Sequence, residues 1–392
     1  MSSVIKIGKG REKRIRSGHL WVFSNEIAGS VKGYKAGEIV DIYSYRNEFL
    51  GRGYINPSSL ISVRILSYEK EEINREFFYR KITEAWRYRK RVYPDLDSYR
   101  LVFGESDFLP GLIIDKYEDY LSVQTLSLGM DVRLDMILAV LEDIFRPYGI
   151  VERNEAAVRR LEGLEERNGI LRGSIKDNIT ITENGLKFGV DILKGQKTGF
   201  FFDQRENRQA ICKYVKKDGR VLDCFCYSGG WSVYAAASGA AEVIGLDSSN
   251  DAIGLSEKNA EINGFSKNCR FKKVDVFDEL RKLVSDREEF DTIILDPPAF
   301  VKSAGKVREA LKGYKEINLQ AMKLLKEGGI LITCSCSYHI DRETFKDMLV
   351  QSAYDSERSF RLMEFRGQAL DHPVLLSMRE TEYLKCAILQ RV

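Results

Sequence analysis

The sequence is poor in several features that mark large classes of proteins. Its three histidines, His19, His339 and His372, are scattered, and its seven cysteines form no paired ligand motif, so we expect no metal site. No run of about 18 apolar residues occurs, which excludes a membrane-spanning helix. The basic N-terminus has no apolar secretory stretch, and the cysteines lack the spacing of a small disulfide scaffold. These absences favour a protein of the cytoplasm.

The net charge of the chain is only +3, so overall charge does not predict a nucleic-acid partner. The start of the chain is different, because six of its first sixteen residues are basic and only one is acidic. A local basic patch can bind phosphate groups even on a nearly neutral protein. We therefore expect Lys6, Arg11 and Arg14 to bind phosphate groups of the substrate, although a solvated surface without a ligand would show the same pattern.

Three regions differ in the pattern of their predicted elements. Residues 1–70 contain short strand-like runs between glycines, which indicates a small β-barrel. Residues 71–188 begin with an amphipathic helix over 71–91 and continue with a hairpin over 111–125, which indicates an α+β domain. Residues 189–392 alternate strand-like and helical segments, which predicts an α/β fold with a doubly wound, Rossmann-like parallel sheet.

Three short segments follow predicted strands of this last region. They are 221–230 (VLDCFCYSGG), 296–300 (DPPAF) and 333–337 (TCSCS). In an open α/β sheet, ligands bind outside the carboxyl ends of the strands, so all three segments should line one crevice. We expect a cofactor, a planar substrate and a nucleophile to meet there.

The first segment predicts a nucleotide-like cofactor but not a dinucleotide. The G-x-G-x-x-G cradle for a pyrophosphate is missing, and Asp223 at the start of the turn would repel phosphate. The same carboxylate suits the amino group and sulfonium of S-adenosylmethionine. We expect the turn, with Phe225, Tyr227 and Gly229, to contact this donor, because a glycine lets a ligand approach the backbone closely.

Acids after the next two strands complete the predicted donor site. Asp247 ends the strand after the first segment, where a carboxylate can accept hydrogen bonds from a ribose diol. Asp275 ends the third strand and is predicted to accept from the adenine amino group, with Phe277 stacked on the ring. For Asp247 alone, a helix N-cap is the alternative.

The segment DPPAF predicts a pocket for a planar base. Pro297 and Pro298 fix the backbone and remove two donors, which leaves carbonyls and the Asp296 side chain directed at the crevice. Asp296 would hold the polar edge of the base and Phe300 would lie against its face. Bases that undergo chemistry are commonly flipped into such pockets. A tight turn without a ligand is the alternative.

The third segment offers a thiol nucleophile. Attack by a thiolate on carbon 6 of a pyrimidine makes an enamine whose carbon 5 can accept a methyl group. Removal of the carbon 5 proton and expulsion of the cysteine complete the reaction, and Asp296 would serve as the acid near the ring nitrogen of cytosine. Cys334 and Cys336 share one face of a strand, so periodicity does not choose between them.

These motifs together resemble a known family: the 23S ribosomal RNA large-subunit cytosine-5 methyltransferases, built from a PUA domain, a central α+β domain and a class I methyltransferase domain. The resemblance covers nearly the whole chain. Its most specific motifs are 104–115 (GESDFLPGLIID) and 195–205 (GQKTGFFFDQR). Further matches are 18–23 (GHLWVF), the Asp-Pro-Pro segment, 335–337 (SCS), 371–373 (DHP) and 383–385 (YLK).

The resemblance implies roles for several residues. It selects Cys336 as the nucleophile, and similarity to related RNA methyltransferases implies that Phe201 and Gln204 approach the methyl donor. It also implies RNA contact by the PUA domain and self-association into a homodimer. Many RNA cytosine-5 methyltransferases have a second cysteine after the Asp-Pro-Pro pair to help release the product, whereas this chain has Ala299. Another base or water must then assist, and His339 is a candidate proton carrier.

Two other functions fit the same residues. An Asp-Pro-Pro-x-aromatic segment can present an exocyclic amine for direct methyl transfer without a covalent intermediate. An RNA-binding assembly factor that keeps the fold without turnover is the non-enzymatic alternative. The complete set of acids and the thiol argue against the assembly factor.

Overall fold

The computed structural model of the chain describes residues 3–193, 195, 199–300 and 304–392. The chain divides into two compact units. The first comprises Met1–Ile181, Val190–Phe202 and Leu370–Thr381, and the second comprises Thr182–Gly189, Asp203–Ala369 and Glu382–Val392. The predicted domain boundaries, near residues 70 and 188, stay a prediction.

The first unit begins with a five-stranded sheet in the order β1-β3-β4-β5-β2. β1 runs parallel to β3, and the other pairs are antiparallel. At Gly53 a Cβ atom would lie 2.0 Å from the carbonyl oxygen of Arg64, so only glycine allows β4 and β5 to approach here. The elements are β1 (Ser3–Lys6), α1 (Lys13–Arg16), β2 (Trp21–Val22), β3 (Ile39–Tyr43), β4 (Phe49–Ile55) and β5 (Val63–Ser67).

A second five-stranded sheet of this unit has the order β10-β9-β8-β7-β6. Its elements are α2 (Arg75–Val92), β6 (Ser98–Phe103), β7 (Leu112–Tyr117), β8 (Tyr120–Thr125), α3 (Leu128–Asp131), α4 (Leu134–Phe145), β9 (Gly149–Asn154) and β10 (Arg167–Gly173). Asn74 caps α2 by accepting the N–H of Phe77, and the apolar face of α2 packs with α4 in a core that includes Phe78 and Leu138. The predicted helix and the β7-β8 hairpin are confirmed.

The second unit is built on a seven-stranded sheet in the order β15-β14-β13-β16-β17-β19-β18. The five strands from β15 to β17 are parallel, β19 runs antiparallel to β17, and β18 runs antiparallel to β19. The short strands β11 (Ile179–Glu183) and β12 (Leu186–Val190) form a separate sheet, of which only Thr182–Gly189 belong to the second unit. The remaining elements are α5 (Arg205–Ile211), β13 (Arg220–Cys224), α6 (Gly230–Ala237), β14 (Glu242–Asp247), α7 (Asn250–Ile262), β15 (Cys269–Lys273), α8 (Val276–Ser285), β16 (Phe290–Leu295), α9 (Val307–Leu324), β17 (Leu325–Ser335), α10 (Arg342–Asp355), β18 (Phe360–Arg366) and β19 (Lys385–Arg391).

The central strands of this sheet explain where the site lies. All six residues of β16 are buried, as expected for a parallel strand with both faces covered. The last residue of β16, Leu295, pairs with Cys224 of β13 and Thr333 of β17. The loops that follow these three strands therefore leave the sheet side by side, which confirms the predicted arrangement of the three segments.

Neither a membrane-spanning helix nor a metal-binding cluster occurs among residues 3–193, 195, 199–300 and 304–392. No helix among these residues is long and apolar enough to cross a membrane. Within the same part of the chain, no group of three or more His, Cys, Asp or Glu side chains is arranged to hold a metal ion.

Candidate active site

The loop after β13 has an unusual backbone. Phe225, Tyr227 and Gly229 have positive φ angles of 64°, 47° and 73°. A non-glycine residue in this left-handed region costs about 1 kcal/mol, so neighbouring contacts must hold the loop in place. Asp247 at the end of β14 supplies one, because its Oδ2 accepts the N–H of Tyr227 at 3.0 Å. Strained backbone held this way is common at ligand sites.

Protein side chains pack closely against the glycines of this loop. A Cβ atom on Gly229 would lie 3.0 Å from the Cβ atom of Ser256 on α7, and one on Gly230 would lie 3.2 Å from Cδ of Arg208. Protein atoms, rather than an approaching ligand, therefore occupy the space beside both glycines. Contact between Gly229 and the donor stays a prediction.

Asp223 is a buried carboxylate at the end of β13. Its Oδ2 accepts the hydroxyl of Ser232 at 2.6 Å, whereas Oδ1 has no hydrogen-bond partner among the described residues. Burial raises the pKa of Asp223 to about 7, and repulsion from Asp296 and Asp247 adds to this shift. A cation placed beside Oδ1 would satisfy that oxygen and favour the ionised form, so this residue fits the positively charged methionine end of S-adenosylmethionine.

The two predicted acids after Asp223 have different environments. Asp247 is partly exposed and accepts hydrogen bonds from the backbone N–H groups of Tyr227 and Ser249, at 3.0 and 2.9 Å. It therefore fixes the loop after β13. Each carboxylate oxygen can accept a further bond, which leaves capacity for a ribose diol. Asp275 is exposed and caps α8 by accepting the N–H of Asp278 at 3.1 Å. Its contact with adenine stays a prediction.

Four aromatic side chains form a cluster beside these acids. The aromatic cluster consists of Phe225, Phe277, Phe300 and Tyr314. The Phe277 and Phe300 ring centroids are 5.8 Å apart, and Phe300 lies 4.6 Å from Tyr314 of α9. The sequence predicts that Phe277 contacts adenine and Phe300 the target base, and the structure makes the two rings neighbours. Both rings are partly buried against the core, and both assignments remain predictions.

Asp296, directly after β16, is held by two donors. Its Oδ1 accepts Nε2 of Gln204 at 3.0 Å, and its Oδ2 accepts Nε1 of Trp231 at 2.9 Å. Asn207 donates to the amide oxygen of Gln204 at 2.7 Å and thereby orients the Gln204 amide toward Asp296. Burial raises the pKa of Asp296 to about 6, close enough to neutrality for the carboxyl to exchange a proton. Gln204, predicted to approach the donor, therefore contacts Asp296.

The structure separates the two cysteines that periodicity could not. Cys334 lies within β17, is completely buried and pairs in register with Cys386 of β19. Cys336 follows the end of β17 and is partly exposed, with its Sγ 3.9 Å from the carbonyl oxygen of Pro297. Pro297 itself is buried and Pro298 is exposed. The accessible thiol therefore lies against the Asp-Pro-Pro segment.

Three residues near this thiol were missed by sequence reasoning. Trp231 binds Asp296, and the Tyr314 hydroxyl lies 2.9 Å from the hydroxyl of Ser337. The ammonium of Lys385 donates to the carbonyl oxygens of Ser337 and Tyr383, both at 2.7 Å. Only Lys385 had a signal in the sequence, as the last residue of the matched YLK motif.

Other predicted residues lie apart from this group. Lys6 and Arg11 are exposed in the first unit. Arg14 pairs with Glu26 at 2.8 Å, and its guanidinium lies 4.6 Å from the Phe23 ring centroid. Arg14 thus stabilises the fold of its own unit, a role that the predicted basic patch did not include. Phe201 also belongs to the first unit, and its approach to the donor stays a prediction.

His339, the candidate proton carrier, lies in the loop before α10. The ring of His339 contacts Tyr338, with centroids 5.2 Å apart. Both side chains are exposed. The catalytic role of His339 stays a prediction.

The fold and the site together define a class I methyltransferase that uses S-adenosylmethionine. The family model described as S-adenosylmethionine-dependent methyltransferase matches residues 165–369, and a PUA-like domain matches residues 5–68. The predicted fold class and cofactor are thereby confirmed. A putative S-adenosylmethionine-dependent methyltransferase from Streptococcus mutans has the same fold, with a TM-score of 0.84, 23% identity and coverage of 99% of this chain and 100% of that chain. A putative methyltransferase complexed with SAH gives a TM-score of 0.85 at 22% identity, with the same coverage.

Full-length relatives identify the family more closely. The chain is 41% identical to the ribosomal RNA large subunit methyltransferase I of Vibrio cholerae over 391 residues, 98% of each protein. The protein of the same name from Photobacterium profundum is 41% identical over 392 residues, again 98% of each. The chain belongs to the ribosomal RNA large subunit methyltransferase I family.

Proposed function

We propose that the chain methylates carbon 5 of a cytosine in large-subunit ribosomal RNA, through a covalent adduct with Cys336. The names of the full-length relatives support the RNA substrate. One observation carries the choice of chemistry: a partly exposed thiol lies 3.9 Å from the backbone carbonyl of the Asp-Pro-Pro segment. S-adenosylmethionine supplies the methyl group when bound.

Cys336 has the position that a nucleophile needs. Its sulfur attacks carbon 6 of the base as a thiolate, and a carbon–sulfur bond forms while electrons move toward carbon 5 and the ring nitrogen. After methylation, water or another base accepts the carbon 5 proton, and the electron pair left behind expels the thiolate and restores the ring. Cys334 cannot take this role because it is completely buried in β17, and burial raises its thiol pKa further.

Asp296 serves as the acid for the ring nitrogen. Its pKa of about 6 lets it deliver a proton as the thiolate adds and recover that proton on elimination. The hydrogen bonds from Gln204 and Trp231 fix the carboxyl group next to Pro297. We propose that the Pro297 and Pro298 carbonyls and Phe300 hold the base beside it.

We propose further roles outside this group. The donor lies against Asp223, Phe225, Tyr227, Gly229 and Asp247, with Asp275, Phe277, Phe201 and Gln204 as further contacts. The exposed Lys6 and Arg11 of the PUA-like domain bind RNA phosphates. The three predicted domains, a homodimer and a cytoplasmic location belong to the same proposal.

Capture on 5-fluorocytosine RNA tests the covalent route. Fluorine at carbon 5 cannot leave as a proton does, so the adduct with Cys336 should persist and migrate as a protein–RNA band on a denaturing gel. Cys336→Ala should give no band. Cys212→Ala, which changes an exposed cysteine away from the site, should retain it.

The alternative chemistry predicts a different pattern. Direct transfer to an exocyclic amine, oriented by Asp296 and the proline carbonyls, forms no bond to sulfur. Methyl transfer that survives Cys336→Ala, without a trapped band in the parent protein, would assign that route and refute ours. A protein that binds RNA but transfers no methyl group would indicate an assembly factor.

A further inference from the structure

A buried ammonium lies beside the segment that carries Cys336. Lys385 is only 3% exposed. Its two hydrogen bonds go to the backbone carbonyls of Ser337 and Tyr383, both at 2.7 Å, so neither partner is charged. A buried lysine without a bonded carboxylate is costly, because desolvation disfavours the charged form. A negative charge that is present nearby at some stage of the reaction would offset this cost.

The sheet register brings this ammonium to the thiol. Lys385 pairs with Ser335 of β17, and its Nζ reaches past the strand end to Ser337. Cys336 lies between these two attachment points. Lys385 therefore holds the segment 335–337 at both ends, and the sulfur of Cys336 lies at the carbonyl oxygen of Pro297.

The charges around Lys385 point to the same partner. Burial lowers the pKa of Lys385 to about 8, and the charges that oppose this shift come first from Cys336 and then from Glu382 and Asp341. Both carboxylates are already engaged, Glu382 with Arg342 at 2.7 Å and Asp341 with the N–H of Thr344 at 2.8 Å. Cys336, as a thiolate, is therefore the group best placed to supply a negative charge beside the ammonium of Lys385.

The other groups that face Cys336 do not favour a thiolate. Tyr314 of α9 has its pKa raised to about 12 by burial, so its hydroxyl is neutral at pH 7. Asp296, one residue before Pro297, disfavours a second negative charge when ionised. Arg342 is a cation that acts on Lys385, where it opposes the charge of the ammonium, and it pairs with Glu382.

We infer that Lys385 is a positioning residue that clamps the Cys336 segment and stabilises Cys336 as a thiolate before RNA binds. The thiol proton passes to solvent, the ammonium keeps its own protons, and the electron pair on sulfur forms the bond to carbon 6. Use of this thiolate in catalysis rests on the proposed function, but its existence can be measured without RNA or donor.

Alkylation as a function of pH tests the inference. Iodoacetamide reacts with thiolates, and peptide mass spectrometry separates Cys336 from the exposed Cys212, which serves as an internal reference; the other five cysteines are buried. In the parent protein the midpoint for Cys336 should lie below that for Cys212. In Lys385→Met it should rise by about 1 pH unit, within the usual effect of a neighbouring opposite charge, while the Cys212 midpoint stays fixed.

The outcomes are distinguishable. If Lys385→Met lowers the maximal alkylation rate of Cys336 but leaves its midpoint unchanged, Lys385 has only a structural role. A midpoint of Cys336 in the parent protein at or above that of Cys212 would refute the inference even if the variant does not fold. Lys385→Arg, which keeps the charge, should retain a midpoint lower than that of Lys385→Met. If the midpoint of Cys336 is low but the protein traps no fluorocytosine RNA, the proposed function is refuted and the inference about the thiolate still holds.

Discussion

Replacing Asp223 by Asn should make the protein more stable at alkaline pH while weakening donor binding. The Asp223 carboxyl is completely buried, and one of its oxygens lacks a partner among the described residues. Asn has nearly the same shape and can still accept the hydroxyl of Ser232, but it carries no charge. The substitution therefore removes a buried charge at pH 8 and changes little at pH 4.

The magnitude follows from the pKa of Asp223. Its ordinary value is 3.8 and burial raises it to about 7. Because the folded state holds the proton more tightly, the free energy of unfolding falls as pH rises between these values. A difference of about 3 pKa units corresponds to about 4 kcal/mol, of which about 2 to 3 kcal/mol is lost between pH 5 and pH 8.5. Asp296, whose pKa is also raised, acts in the same direction in both proteins.

Urea unfolding without donor, at pH 5 and pH 8.5, measures this difference. The parent protein should lose about 2 to 3 kcal/mol more than Asp223→Asn over this range. Calorimetric titration at pH 8 should show that the variant binds S-adenosylmethionine more weakly. An equal pH dependence in the two proteins would show that Asp223 is ionised at no cost in the fold, and would refute the reasoning. Unchanged donor affinity would remove Asp223 from the donor site.

Two further variants test the loop after β13. Gly229→Ala should lower the free energy of unfolding by about 2 kcal/mol, because the residue has a φ of 73° and its new Cβ atom would meet Ser256 at 3.0 Å; equal stability in urea would contradict this. Asp247→Asn should weaken donor binding about tenfold. In the parent protein the Asp247 carboxylate accepts two backbone N–H groups and can still accept the ribose hydroxyls, whereas an Asn amide has only one acceptor oxygen. Asp251→Asn, on the exposed first turn of α7, is its control, and equal calorimetric affinities in the two variants would argue against the role of Asp247.

The sequence predicted the sheet and its three site loops because each depends on local signals. Strand and helix periods alternate clearly after residue 189, and the rule that ligands lie at the carboxyl ends of parallel strands then places Asp223, Asp247 and Asp296 together. The hairpin of β7 and β8 also follows from pattern alone.

Side-chain partners could not be predicted in the same way. Lys385 and Trp231 lie far along the chain from the residues that they contact, and only the fold brings them to Ser337 and Asp296. Arg14 was placed in an RNA-binding patch because charge is visible in a sequence, whereas its contact with Glu26 is not. Periodicity alone did not choose between Cys334 and Cys336, and the resemblance selected Cys336. Which of the two thiols is exposed depends on where β17 ends, and element boundaries are the weakest part of a sequence prediction.

Methyl transfer with identification of the product tests the central claim most directly. Labelled S-adenosylmethionine, unmodified large-subunit RNA and the parent protein would be compared with Cys336→Ala, and the RNA digested to nucleosides. We expect label in 5-methylcytosine with the parent protein and none with the variant. Label in another nucleoside that survives Cys336→Ala would contradict both the position of methylation and the role of the thiol.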